Sequence, residues 1–207
     1  MANPIALIEG QYYHVYNRGN NRENLFREER NYLYFLKLYA YHIGPVADTF
    51  AYCLLKNHFH FLIRIKDLSG VRATKSPPHL TGLKLKKLAP SKKFSNFFNA
   101  YARTYNHTYQ RTGALFQRPF GRILVSSDAH FKQLVTYIHQ NPQKHKFVAD
   151  FRDWKYSSYH TLLASEKTHL HRSEVLDWFN TRAGFVAAHQ APVAESEMTA
   201  LAPEDFD

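Results

Sequence analysis

Between residues 46 and 65 apolar side chains run almost without a break, as "VADTFAYCLL" and then "HFHFLIRI". Lys56 and Asn57 alone separate the two runs, and that spacing predicts a β-hairpin. Alternation within the second run puts His58, His60, Leu62 and Arg64 on one face and Phe59, Phe61, Ile63 and Ile65 on the other. Upstream, "QYYHVYN" (11–17) reads as a strand and "RGNNRENLF" (18–26) as a polar turn. Leu33, Leu36, Ala40 and Ile43 recur at helical spacing within 27–44, where Gly44 and Pro45 stop the pattern. Downstream, 91–113 predicts a helix with Ser91 as its cap and Gly113 as its stop. Residues 114–125 predict a fourth strand, broken at Pro119. Residues 126–142 predict a helix capped at Ser127 or Asp128 and ended by Pro142.

The order β-α-β-β-α-β followed by a helix defines an α+β, ferredoxin-like arrangement. It predicts a four-stranded antiparallel sheet with helices on one face and the other face open for a ligand. The expected organisation is a catalytic-type domain over 1–160, a helical extension over 161–187 and an acidic, disordered tail over 188–207. A length of 207 residues gives enough chain for a real core. No run approaches the ~18 apolar residues of a membrane helix, and the N-terminus carries no visible signal peptide. The single cysteine, Cys53, cannot form an internal disulfide, which fits a reducing cytoplasm.

Charge changes the picture most. The net charge is +10, and every Lys and Arg lies before position 183. Residues 1–182 carry +15, whereas the last 25 residues hold five acids and no base. So basic a body attracts polyanions, and nucleic acid is the default partner.

The candidate chemistry starts from the two histidines. On one strand face they lie roughly 7 Å apart, and their rings can converge on one ion. Chance alone supplies such pairs in a chain with 13 histidines. A second pair, His169 and His171, sits in "THLHRSE" with no strand around it and reads as a surface loop. The helix "VTYIHQNPQKH" adds weight, because Tyr137 and Asn141 are four apart and share a face. Two imidazoles and an amide oxygen would bind a divalent ion, with a phenol as nucleophile. Spacing alone does not single out Tyr137 among 14 tyrosines.

Three segments carry a family resemblance: "YYHVYNRGNNRENLF" (12–26), "AYCLLKNHFHFLIRI" (51–65), and 111–159 with its "YI-x-x-NP" and "W-x-x-SSY" signatures. Over about residues 10–160 the chain resembles the single-tyrosine HUH transposases, and most closely their REP-associated branch. The resemblance implies metal ligation by His58 and His60, with Asn141 as third ligand, and nucleophilic attack by Tyr137. It leaves His139, between Tyr137 and Asn141, without a role. It implies Mg²⁺ or Mn²⁺, and nicking and strand transfer of single-stranded or hairpin DNA through a 5′-phosphotyrosine with release of a 3′-hydroxyl. Relatives include dimers that exchange the tyrosine helix and monomers, so both states stay open.

The basic surface suggests DNA contacts. Arg103, His107 and Arg111 form one stripe of the helix at 91–111 and Tyr101, Tyr105 and Tyr109 another; one stripe would follow a backbone or simply be solvated, and the other would pack on the sheet. Lys84, Lys86, Lys87, Lys92 and Lys93 could grip a hairpin stem. Asn17, Arg18 and Arg22 offer groups for bases and phosphates, and Arg64 shares the histidine face. The rival reading is a non-catalytic single-stranded nucleic-acid-binding module of the same architecture. A third, a domesticated transposase acting on chromosomal repeats, would share the chemistry.

Overall fold

The computed structural model describes residues 5–69 and 89–191. Four strands, β1 (Tyr12–Arg18), β2 (Ala47–Leu54), β3 (His58–Ile65) and β4 (Gly121–Val125), form one sheet in the order β2-β3-β1-β4. Every neighbouring pair is antiparallel. This is the ferredoxin-like topology that the chain order predicts. The hairpin β2–β3 turns at Lys56-Asn57 as expected. Lys84, Lys86 and Lys87, and most of the acidic tail, lie outside the described residues.

Helices α1 (Glu29–Ile43) and α2 (Pro90–Thr108) pack on one sheet face. They bury Phe35, Phe97 and Tyr101 against Phe59, Phe61, Ile63 and Ile65 of β3. The apolar half of the β3 alternation therefore lies where its pattern puts it. On α1 the buried stripe is Tyr32, Phe35, Tyr39 and Ile43, while Leu33 is 60% exposed. The expected leucine stripe is displaced because aromatic rings at the same helical spacing bury more apolar surface. Tyr39 stacks on Phe61 with ring centroids 4.2 Å apart.

The opposite face is not open. α3 (Asp128–Lys144) crosses it, joined by the short helices α4 (Tyr159–Leu163), α5 (Arg172–Trp178) and α6 (Arg182–Ala188). Leu62, Phe50, Phe131, Leu134, Ile138, Val175, Phe179 and Phe185 form this second core. The C-terminal helices thus share one apolar cluster with α3. A bulge between Thr49 and Ala51 helps turn Phe50 into it. The chain order alone leaves this face open; the tyrosine helix α3 lies over it, as a site joining Tyr137 to the histidines requires, and buries an apolar stripe of its own there.

Element ends differ from the sequence reading where backbone chemistry intervenes. α2 starts one residue early, with Ala89 as cap and Pro90 in the first turn, a position where a missing N–H costs nothing. It ends at Thr108, ahead of Gln110 in the left-handed region (φ 49°). β4 spans only 121–125, since Pro119 has no N–H to give a ladder. Ser127 caps α3, its hydroxyl accepting from the His130 N–H at 3.2 Å. Pro142 does not end α3, which continues to Lys144. So near the C-terminus a proline removes one helical hydrogen bond and little else.

The "W-x-x-SSY" signature pins chain to the edge of β2. The Trp154 indole N–H donates to the Leu54 carbonyl at 2.9 Å, and the Tyr52 N–H donates to the Ser158 hydroxyl at 2.8 Å. The backbone of Tyr156 accepts from Leu54, and that of Tyr52 accepts from Ser158.

Candidate active site

In β3 the register opposite β1 aligns His60 with Tyr16 and His58 with Arg18. Both histidines are almost fully buried, at 3% and 0% exposure, because α3 lies over them. Tyr137 projects from α3 onto this pair. Its ring meets His60 edge-on at 5.6 Å between centroids and His14 at 6.3 Å. One turn further along, Asn141 is also fully buried. Four residues predicted from separate segments, His58, His60, Tyr137 and Asn141, therefore come together.

The protonation pattern of His58 can be read from its partners. Its Nδ1 lies 2.7 Å from Asn57 Oδ1. An amide oxygen only accepts, so Nδ1 carries the proton and Nε2 of the neutral ring keeps a lone pair. That lone pair faces Asn141 Oδ1 at 3.5 Å. A cation between these two atoms would satisfy both, as would the Asn141 amide turned so that its Nδ2 donates to His58 Nε2. Ligands about 2.1 Å from a shared ion at angles of about 90–110° are about 3.0–3.4 Å apart, close to the spacing here. Asn141 Nδ2 is buried with no hydrogen-bond partner among the described residues. Hence the donor set fits a small divalent ion. Among the described residues no three His, Cys, Asp or Glu side chains cluster as a metal site, so such a site rests on two imidazoles and an amide.

The sequence reading missed several neighbours. His14 Nε2 lies 2.9 Å from His60 Nδ1, and the two rings stack at 5.1 Å. The Tyr16 ring packs at a tilt against His14, with centroids 4.9 Å apart. The ring of Tyr16 lies directly over Gly121, where an added Cβ would come within 1.9 Å of it. Alternation in "YYHVYNR" could have found both, since it puts His14 and Tyr16 on the face that β1 shares with His60. His145, just beyond α3, brings its ring 4.8 Å from His58. Lys144 holds its Nζ 5.2 Å from the centre of the Tyr137 ring. Tyr137, only 2% exposed, and Lys144 also line a cleft of about 700 Å³ with Gln140 and Arg152.

His139 faces away from this cluster into a separate buried chain. His189 Nδ1 is 2.7 Å from the Phe185 carbonyl, which only accepts, so His189 Nε2 is the acceptor. His139 Nδ1 then donates to it at 2.8 Å, and His139 Nε2 accepts from the Ser158 hydroxyl at 2.7 Å. Burial drives His189 down to about 4 and His139 well below the ordinary imidazole range. This is a structural pair held neutral.

The candidate DNA contacts divide. Arg22, Lys92 and Arg103 are exposed; Lys93 and Arg18 are half-buried. Arg64 is engaged within the protein. It pairs with Asp48 at 3.1 Å and Glu174 at 2.8 Å, and its guanidinium packs over Tyr12 and Phe50. A basic residue on the histidine face is recruited there to tie α5 to β2 and β3. Arg111 likewise pairs with Glu23 and donates to the Gly113 and Ala114 carbonyls, clamping the loop after α2. Asn17 is buried; its amide donates to the Gln117 carbonyl at 3.2 Å and accepts from the Arg18 N–H at 2.8 Å. Tyr101 and Tyr105 pack inward and donate to the Leu25 and Asn24 carbonyls, so the tyrosine stripe is core. His171 pairs with Asp48 at 3.0 Å.

No family model matches the chain. A protein of Haemophilus influenzae named as a REP-associated tyrosine transposase is 29% identical over 119 residues, which is 58% of this chain and 62% of that protein. The match thus spans less than two thirds of the relative. A solved structure of a REP-associated tyrosine transposase bound to a REP hairpin superposes with a TM-score of 0.57 at 16% identity, covering 80% of this chain and 86% of that one. The chain thus resembles the REP-associated tyrosine transposases both in sequence and in fold.

Proposed function

We propose that the protein binds hairpin or repeat DNA and nicks and rejoins single strands, as a single-tyrosine transposase. The observation that carries this reading is the Tyr137 ring packed edge-on against His60, beside His58 Nε2 and Asn141 Oδ1 only 3.5 Å apart. The tyrosine and both histidines belong to one chain.

In the proposed reaction Tyr137 Oη attacks a phosphorus of the DNA backbone. The Oη–P bond forms as the P–O3′ bond breaks; the phenol proton is lost and the departing 3′-oxygen gains one. The 5′-phosphate stays on the tyrosine, and a 3′-hydroxyl attacking it reverses the step without ATP. Lys144 and Arg152 line the same cleft as Tyr137 and offer positive charge to a phosphate there. The bond from His14 fixes the ring of His60 as an outer-shell partner would. His58, His60 and Asn141 would hold Mg²⁺ or Mn²⁺, which when bound supplies Lewis-acid stabilisation of the charge building on the phosphoryl oxygens.

The test is a labelled single-stranded hairpin library with Mn²⁺, followed by denaturing electrophoresis and sequencing of trapped adducts. Wild type forms a covalent protein–DNA band. Tyr137→Phe binds hairpin but forms none; an adduct that persists in this variant overturns the assignment. Hairpin binding without any adduct in wild type would select the non-catalytic module instead.

A further inference from the structure

The family resemblance gives His139 no role, yet it is fully buried in the middle of the helix that carries Tyr137 and Asn141. At 3.6 residues per turn it lies about 160° round α3 from both of them, on the side turned away from His58 and His60. A run of hydrogen bonds holds it there. The Tyr52 N–H of β2 donates to the Ser158 hydroxyl at 2.8 Å. That hydroxyl donates to His139 Nε2 at 2.7 Å, and His139 Nδ1 donates to His189 Nε2 at 2.8 Å. His189 Nδ1 donates in turn to the Phe185 carbonyl of α6 at 2.7 Å. Every link points the same way, so each ring uses one nitrogen as donor and the other as acceptor. The next residue of α3 grips the same end of α6: the Gln140 amide donates to the carbonyls of His189 at 3.0 Å and Ala191 at 2.8 Å.

Apolar burial has no direction. Phe131, Leu134 and Ile138 hold α3 on the sheet, but such contacts fix the helix's rotation about its own axis less sharply than directional bonds do. Hydrogen bonds weaken steeply as their angles open, so a chain of them anchored on β2 at one end and α6 at the other resists that rotation. The lever is long. A tyrosine hydroxyl lies about 9 Å from the axis of its helix, and a turn of about 10° moves it by about 1.5 Å. A misplacement of about 1 Å can cost about a hundredfold in rate.

We infer that His139 is a positioning residue: through Ser158 and His189 it sets the rotation of α3 that aims Tyr137 and Asn141 at the histidine pair. The chain from Ser158 to His189 thereby belongs to the catalytic unit. The inference rests on the transposase reading above and names the contacts that hold its nucleophile in place.

Two readouts on the full chain test it, one of them without DNA. His189→Phe keeps a ring among Phe151, Tyr159, Phe179 and Phe185 but offers His139 no acceptor. His189→Gln supplies an amide that can both accept and donate. In protein with carbon-13-labelled tyrosine rings, the Tyr137 NMR signal is assigned by its loss in Tyr137→Phe. His189→Phe should shift that signal, and His189→Gln should return it towards the wild-type position. With hairpin DNA and Mn²⁺, His189→Phe should form the covalent adduct about ten- to a hundredfold more slowly at saturating hairpin, with hairpin affinity by anisotropy unchanged. His189→Gln should keep a rate close to wild type although it is the less stable protein, so a loss caused by lower stability alone would appear in both variants. An unmoved Tyr137 signal, a wild-type rate in His189→Phe, or equal losses in the two variants overturns the positioning role. If His189→Phe does not fold, Ser158→Ala, which removes the donor to His139 Nε2, takes its place, with Ser158→Thr as the variant that keeps the hydroxyl. A wild type that forms no adduct overturns the transposase reading instead, and the Tyr137 signal then decides by itself whether the chain sets the position of that ring.

Discussion

Acid should destabilise this protein through the buried His139–His189 pair, and the window can be stated in advance. Both rings are held neutral in the folded chain: His189 Nδ1 donates to the Phe185 carbonyl, and His139 bridges His189 to Ser158. His189 titrates at about 4 when folded, against 6.5 for an ordinary imidazole. Because the folded value is depressed, the unfolded chain takes up the proton first as pH falls. Stability is unaffected above pH 6.5, drops as pH falls from 6.5 towards 4, and levels below that. A shift of this size corresponds to about 3 kcal/mol. His139 is displaced in the same direction, and its bond to His189 couples the two titrations. The strongly lowered carboxylate, Asp150 at about 2, titrates below this window. Urea unfolding of wild type and His189→Gln at half-unit intervals from pH 7.5 to 4.5 is the assay. The variant should be less stable at pH 7.5, and its stability should fall less steeply between pH 6.5 and 4.5. Parallel curves for the two proteins would refute the buried neutral pair.

Three further outcomes follow from particular contacts. Gly121→Ala puts a methyl into the Tyr16 ring and should cost about 1–3 kcal/mol, read by thermal melting; an unchanged melting temperature would show that the Tyr16 ring can move aside freely. Arg64→Gln strips Asp48 and Glu174 of their shared cation and should lower stability by roughly 1–2 kcal/mol with no change in hairpin affinity by anisotropy; a loss of affinity at unchanged stability would restore Arg64 as a DNA contact. His58→Ala should abolish Mn²⁺ binding by calorimetry together with adduct formation, whereas full metal affinity in this variant would remove His58 from the ligand set.

The sequence by itself determined the sheet and the pairing of chemistry with one face. Strict alternation in "HFHFLIRI" separates the histidines from the phenylalanines, and a two-fold period admits no other partition once one face is buried. The i, i+4 spacing of Tyr137 and Asn141 likewise fixes that they share a helix side. What alternation cannot state is which surface covers which. Only the packed molecule decides that α3 closes over the histidine face, because an apolar stripe reveals that a helix must be buried and not against what. The same holds for charge. Arg64, Arg111, Arg103 and Arg122 look alike along the chain, yet two are neutralised by acids distant in sequence, one is exposed, and one is half-buried without a carboxylate. Electrostatic role depends on separations of a few ångströms between segments far apart in the chain, and those separations exist only once the tertiary structure has formed.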